Sequence, residues 1–276
     1  MAYKQGWYVK IMKTDKTKHM NALIEMLEKK KKNILSIYFT AGYPELDDTV
    51  EIIESLKRTG VDMVEVGFPF SDPMADGPVI QKSSHTALGN GMNLDVLFSQ
   101  LKSIKGSNDL PIILMGYLNP AYKYGMEKFC RHSAEAGVSG VIIPDLPVEI
   151  YENEYKPLYE KYDLCYIPLI TQHTSEERII KLGAEARGFV YMVSSSIITG
   201  GQAVFTDHSE YFSRVRKLLP DKPLLIGFGI NNADTFSDAC RNANGGIIGT
   251  AFIKSFDKPV TVIEEHVSGF VNSLRN

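Results

Sequence analysis

The sequence predicts an α/β fold, a (β/α)8 TIM barrel with an extra helix before its first strand. Three observations lead there. β-rich segments and amphipathic helical segments alternate eight times along the chain, and such alternation implies parallel strands joined by crossover helices. The length, 276 residues, suits eight such units closed into a barrel. The competing doubly wound sheet calls for a glycine-rich phosphate turn after its first strand, where this chain has Ala41-Gly42-Tyr43-Pro44.

Each element has a local reason. Leu23, Ile24, Met26 and Leu27 recur at helical spacing, which predicts a leading helix over 20–30. Its basic run, Lys29 to Lys32, falls at the C-terminal end, where cations suit the helix dipole. The first strand is 34–40, and Asp47 or Asp48 caps a helix to about residue 58. The second strand is 62–67, followed by a long loop and helices over 79–88 and 94–104. The remaining strands are 111–117, 140–145, 164–170, 188–193, 223–228 and 245–249. Their helices are 126–136, 148–162, 175–186, 209–219, 233–242 and 260–274. Residues 1–19 are polar and basic, without the apolar stretch of a signal peptide. They read as a disordered leader, leaving one barrel domain over 20–276.

Composition narrows the classes of function. A net charge of -3 gives no electrostatic footprint for nucleic acid. No apolar run is long enough to span a bilayer. Cys130, Cys165 and Cys240 are scattered, as free thiols of a cytoplasmic protein would be. The six histidines, His85 and His173 among them, show no ligand spacing, so no metal is expected.

In a barrel, catalytic groups gather at the C-terminal ends of the strands. Along 63–67, Val64 and Val66 share one face and Met63, Glu65 and Gly67 the other. The valines suit the outer face against helices, so Glu65 points into the barrel near its mouth. A carboxylate there is costly unless hydrogen-bonded, protonated or used. Burial raises its pKa, which suits a group that both gives and takes a proton. A structural glutamate paired with a polar neighbour is the plainer alternative. The loop after it carries Asp72 and Asp76 among three prolines, Pro69, Pro73 and Pro78. Asp72 suits a turn and Asp76 a helix cap, and the residues alone do not separate their roles.

A second constellation lies late in the chain. Thr199-Gly200-Gly201, Gly227-Phe228-Gly229 and Gly249-Thr250 end the sixth, seventh and eighth strands. Loops at those places in barrels commonly hold a phosphate, and glycines let backbone N–H groups approach its oxygens. Turn glycines needing positive φ are the alternative. Asp145, Tyr117, Asn119 and Tyr191 also fall at strand ends and are candidates to line a pocket.

The run Val66-Gly67-Phe68-Pro69-Phe70-Ser71-Asp72-Pro73-Met74-Ala75-Asp76-Gly77-Pro78 closely resembles the signature of the tryptophan synthase alpha chain family. Thr40-Ala41-Gly42-Tyr43-Pro44, Ile143-Pro144-Asp145-Leu146-Pro147 and Gly227-Phe228-Gly229-Ile230 match in order and spacing, from about residue 20 to the end. The resemblance implies a lyase of tryptophan biosynthesis that cleaves indole-3-glycerol phosphate to indole and D-glyceraldehyde 3-phosphate by acid/base, retro-aldol-type chemistry. It implies Glu65 as the group that protonates indole C3 and Asp76 as the group that takes the indole N–H proton. It places the phosphate at Gly200, Gly229, Gly249 and Thr250, a threonine where a serine is usual, with Gly227 and Thr199 beside them. Tyr191 matches a pocket residue, and Tyr38 stands where phenylalanine is common. The chain departs from the family at Ser194-Ser195-Ser196-Ile197-Ile198, where an arginine and a glycine usually precede the threonine–glycine pair. The resemblance further implies no cofactor in this chain and a partner, a beta chain holding pyridoxal phosphate, in an α2β2 heterotetramer. The alternatives are a stand-alone indole-releasing lyase and a catalytically silent barrel that activates its partner.

Overall fold

One strand, broken at a proline, closes the barrel by pairing on both sides. The structure is a computed structural model describing residues 20–106, 109–194, 209–258 and 260–275. Its strands are β1 (Ile34–Thr40), β2 (Met63–Gly67), β3 (Ile112–Met115), β4 (Val138–Ile142), β5 (Cys165–Tyr166), β6 (Leu169–Ile170), β7 (Val190–Val193), β8 (Leu224–Gly227) and β9 (Gly245–Ile248). The sheet order is β5-β4-β3-β2-β1-β9-β8-β7-β6, and the paired strands are parallel. Its two ends, β5 and β6, are consecutive in the chain. The Ile167 N–H donates to Val141 O (3.3 Å) on one side, and the Tyr191 N–H donates to Pro168 O (3.0 Å) on the other. Residues 165–170 therefore act as the single fifth strand of an eight-stranded ring, interrupted because Pro168 has no N–H for the ladder.

Alternation along each strand builds two apolar layers. Ile34, Met63, Ile113, Ile142, Leu225 and Ile247 fill the interior. Ile37, Val64, Val66, Leu114, Val141 and Ile226 pack outward beneath the helices. Glu65 lies on the same strand face as Met63, so it points inward as its position predicts.

The leading helix, Ala22–Lys29, caps the ring at its N-terminal end. Leu23 and Leu27 belong to the interior layer. Asn21 anchors the helix: its Oδ1 accepts from the Leu23 N–H (3.0 Å), and its Nδ2 donates to Ser139 O (2.9 Å) and Asp163 O (2.7 Å). The helix thus seals the end of the barrel opposite the mouth.

Three features depart from expectation. The helix Leu118–Tyr124 begins where Asn119-Pro120 reads as a turn, yet a proline in the first turn forfeits no intrahelical bond. The six-residue helix Thr250–Ser255 is too short to show periodicity. The expected single helix over 148–162 holds a π-helical turn at Tyr151–Tyr155, with the Lys156 N–H bonded to Tyr151 O. Pro157 follows it and cannot continue the regular ladder.

The seal at the base carries stability. Leu23 is 0% exposed, and truncating such a leucine leaves a cavity costing about 2–5 kcal/mol. L23A is expected to lower the urea midpoint accordingly, whereas M20A, at an exposed site, is expected to change it by no more than about 0.5 kcal/mol.

Candidate active site

Glu65 is fully buried, and one of its two oxygens is bonded. Ser36 Oγ donates to Oε1 (3.0 Å), while Oε2 has no partner among the described residues. Burial pushes the carboxyl from its ordinary 4.5 up to about 8, and the Ser36 hydrogen bond opposes this only in part. At neutral pH the group is therefore mainly the neutral acid. Its register partner on β1 is Tyr38.

Alternation along β1 places Ser36, Tyr38 and Thr40 on the same inward face, three hydroxyls at spacing two. Ser36 holds Glu65. Ser83 Oγ donates to Ile80 O (2.9 Å), so Thr40 Oγ1 donates to Ser83 Oγ (2.7 Å), tying β1 to the helix Pro78–Gly89 that follows the acidic loop. These supports were available from the pattern that located Glu65, applied to the strand next to it.

The structure separates the two loop aspartates. Asp72 is exposed and accepts from its neighbour Ser71. Asp76 is half-buried and lines a cavity. Its loop is held by several bonds: the Ala75 N–H donates to the Tyr117 hydroxyl (3.0 Å), the Asp76 N–H to Pro73 O (3.0 Å), and Gln81 Nε2 to Asp76 O (2.9 Å). Burial raises the Asp76 carboxyl from 3.8 to about 6, with a hydrogen bond from the Tyr117 hydroxyl opposing it. Tyr117 itself is pushed up to about 12, by burial and then by the Asp76 charge. At neutral pH Asp76 is therefore mainly ionised while Glu65 is mainly neutral. Two carboxyls whose environments separate their pKa values make an acid and a base.

A cavity opens at the mouth. Tyr38, Asp76 and Tyr191 line it together with Ile80, Met115, Phe228, Ile230 and Ile247. Gly229, Gly249 and Thr250 line it too, contributed from the ends of β8 and β9. Tyr38, on β1, stands between these and the Asp76 loop in the order of the sheet. Thr199 and Gly200 lie outside the described residues. Glu65 is fully covered and does not form the wall, but it is close enough for its charge to raise the pKa of both Tyr38 and Tyr191, after the larger effect of burial. Both phenols thus stay neutral donors across the working pH range.

Two of the glycines provide space. A Cβ on Gly67 would collide with the Tyr38 hydroxyl, and one on Gly227 with the Tyr191 hydroxyl. Gly227 thus admits an aromatic ring to the barrel interior. Beyond it, Phe228 (φ 74°) and Gly229 (φ 75°) are both left-handed. For a phenylalanine this conformation is strained by about 1–3 kcal/mol.

Other candidates find structural roles. Asp145 Oδ1 accepts from the Leu118 N–H (2.8 Å) at the start of the helix Leu118–Tyr124. Asn119 is exposed. His85 Nε2 is 3.2 Å from Ser71 O. Among the described residues no group of His, Cys, Asp and Glu is arranged to hold a metal ion.

Holding Glu65 this way costs stability. Between pH 4.5 and about 8 the folded state keeps a proton that the unfolded chain has released, so stability falls as pH rises through this window and levels off above it. The full cost is roughly 4–5 kcal/mol. E65Q, neutral at every pH and able to keep the Ser36 bond, is expected to lose this component. Its Tm should match the wild type near pH 5 and exceed it at pH 9. Parallel falls in Tm for both proteins would refute the assignment of the buried acid.

Comparison with known proteins agrees with this geometry. A family profile described as tryptophan synthase alpha chain matches residues 24–274. The tryptophan synthase alpha chain of Flavobacterium johnsoniae is 52% identical over 236 residues, covering 85% of this chain and 93% of the relative. That of Parabacteroides distasonis is 50% identical over 246 residues, covering 89% and 96%. The crystal structure of tryptophan synthase subunit alpha from Legionella pneumophila superposes with a TM-score of 0.84 at 33% identity, over 93% of this chain and 98% of the other. With its profile, its relatives and its barrel in agreement, the chain belongs to the tryptophan synthase alpha chain family.

Proposed function

We propose that Glu65 and Asp76 divide between them the proton transfers of the family's reaction, cleavage of indole-3-glycerol phosphate to indole and D-glyceraldehyde 3-phosphate in tryptophan biosynthesis. The chain is a lyase of this family. The observation that carries the residue roles is the separation of the two carboxyls, one neutral near pH 7 and one ionised.

The protons balance in this assignment. Asp76 takes the indole N–H proton as Glu65 gives its own to C3, which yields the indolenine tautomer. The Glu65 carboxylate then takes the proton of the glycerol hydroxyl next to C3. The carbon–carbon bond breaks, its electrons move toward the ring nitrogen, and the aldehyde forms. Asp76 returns its proton to nitrogen, and both residues regain their starting states. Proton delivery requires the covered Glu65 side chain to turn toward the cavity, within the layer it shares with Tyr38.

Several groups support a phosphate at Gly229, Gly249 and Thr250. Gly249 directly precedes a helix, whose first N–H groups have no intrahelical acceptor. The Thr250 side chain is exposed at the cavity and keeps the hydroxyl of the usual serine. Gly200 and Thr199 complete the family pattern in sequence.

The chemistry as written uses proton transfers alone, and this chain needs no cofactor for it. In the family, pyridoxal phosphate belongs to the beta chain, and we infer a beta chain as partner in an α2β2 assembly in the cytoplasm. Among the described residues no helix is long and apolar enough to cross a membrane.

E65Q and D76N are each expected to lower indole release at least about a hundredfold, the scale of a lost general acid or base, while still binding glycerol 3-phosphate. Normal turnover in either variant overturns its role. The wild-type kcat/KM is expected to be bell-shaped in pH, with limbs near 6 and 8 set by Asp76 and Glu65. Adding a beta chain should raise alpha turnover and form a complex on sizing; absence of both favours a stand-alone lyase. Indole release by the isolated chain excludes a silent barrel.

A further inference from the structure

We propose that Ser194 is a positioning residue: its hydroxyl holds the left-handed turn at Phe228 that aims the Gly229 N–H at the substrate phosphate. The inference rests on the phosphate reading above and adds a residue on a neighbouring strand.

Ser194 directly follows β7 and is 2% exposed. Its N–H donates to Gly227 O (3.1 Å), which extends the β7–β8 ladder by one rung. Its hydroxyl reaches further, to Gly227 O (3.1 Å) and Phe228 O (2.7 Å). One proton serves both acceptors, and the shorter contact is the one to Phe228. That carbonyl belongs to the Phe228–Gly229 peptide, a rigid plane whose N–H points away from its C=O. Gripping Phe228 O therefore fixes the direction of the Gly229 N–H. Gly229 lines the cavity, and its N–H has no acceptor among the described residues, so it is free for a ligand oxygen.

The turn needs such a hold. Phe228 has φ 74°, which a bulky side chain leaves unless its surroundings prevent it. Its ring meets Tyr191 edge-on, 6.3 Å between centroids, but that contact does not fix the peptide plane. The Ser194 hydroxyl does. Relaxation of Phe228 to negative φ would rotate the plane and carry the Gly229 N–H off its line.

Titration of the full-length protein with glycerol 3-phosphate tests this, using wild type, S194A, F228G and the double variant. S194A is expected to weaken binding about tenfold, the scale of one lost hydrogen bond, and to raise KM for indole-3-glycerol phosphate similarly with kcat within about twofold. In the F228G background the same serine change should have less than about a twofold effect, because glycine adopts the left-handed turn without being held. Indole binding should change by less than twofold in S194A. The proposal is overturned if S194A binds glycerol 3-phosphate normally, weakens it equally in both backgrounds, or weakens indole by the same factor. Should S194A fail to fold, S194C keeps the volume with a weaker donor; a loss of about threefold supports the proposal and unchanged binding overturns it. Wild-type protein that binds glycerol 3-phosphate in this serine-dependent way yet releases no indole would sink the lyase reading and leave the role of Ser194 standing.

Discussion

The buried Glu65 carboxyl, with one oxygen bonded and the other without a partner among the described residues, is the constraint around which the rest of the site is arranged. A barrel interior is a poor place for a charge, and burial keeps this group mainly neutral, with the Ser36 hydroxyl as its one partner among the described residues. Much of the surrounding architecture follows from that requirement. Two tyrosines occupy the inner layer beside Glu65, and glycines at 67 and 227 lack the side chains that would exclude them. Both phenols stay un-ionised, so they add donors without adding charge. The second carboxyl, Asp76, sits on a loop with partial access to water and one phenol as partner, which leaves it the stronger acid. A single fold thus holds one carboxyl mainly neutral and another mainly ionised at the same pH. The arrangement sacrifices stability for chemistry, as active sites commonly do.

The barrel was legible in the sequence because strand and helix patterns alternate eight times along it, and the place of Glu65 because period-two alternation sets the face it shares with Met63. The long signature run was legible for a different reason: it is specific enough to mark a family, and the profile and relatives agree with it. Asp72 and Asp76 were not separable by local reasoning, since their difference lies in burial against Tyr117 and the barrel mouth, far away in sequence. Gly227 reads in the sequence as a phosphate glycine beside Gly229, and the structure adds a packing demand that no local pattern states, the Tyr191 ring on the adjacent strand. The short helices at 118–124 and 250–255 escaped because one begins in an Asn-Pro pair and the other is shorter than two turns. Ser194 was legible only as part of an unusual loop. Its contacts with the Phe228 turn depend on strand register, which no local pattern states.

The two ends of the ring do different work. At the base, Asn21 and the first helix seal the interior with apolar contacts and backbone hydrogen bonds, and the sequence there answers to packing. At the mouth, polar groups from β1, β2, β8 and β9 converge on one cavity, and several of them are strained, orphaned or costly. The hydroxyl pair Thr40–Ser83 connects these demands, because it ties a central strand to the helix that ends the acidic loop.

The proline break in the fifth strand has a mechanical consequence. The ladder between β1 and β2 spans five residue pairs, whereas those flanking the break, β4–β5 and β6–β7, span two each. A ring with unequal ladders has unequal stiffness, and its compliance collects at the thin seam. In the order of the sheet that seam lies farthest from β1. Glu65 and its hydroxyl support, Ser36, therefore sit on the arc with the longest ladder of the ring. β7, with Tyr191 and Ser194 at its end, borders the seam on one side and pairs with β8 over four residue pairs on the other. The cavity wall draws on both arcs, with Tyr38 and Asp76 from the side of the longest ladder and Tyr191 from beside the seam.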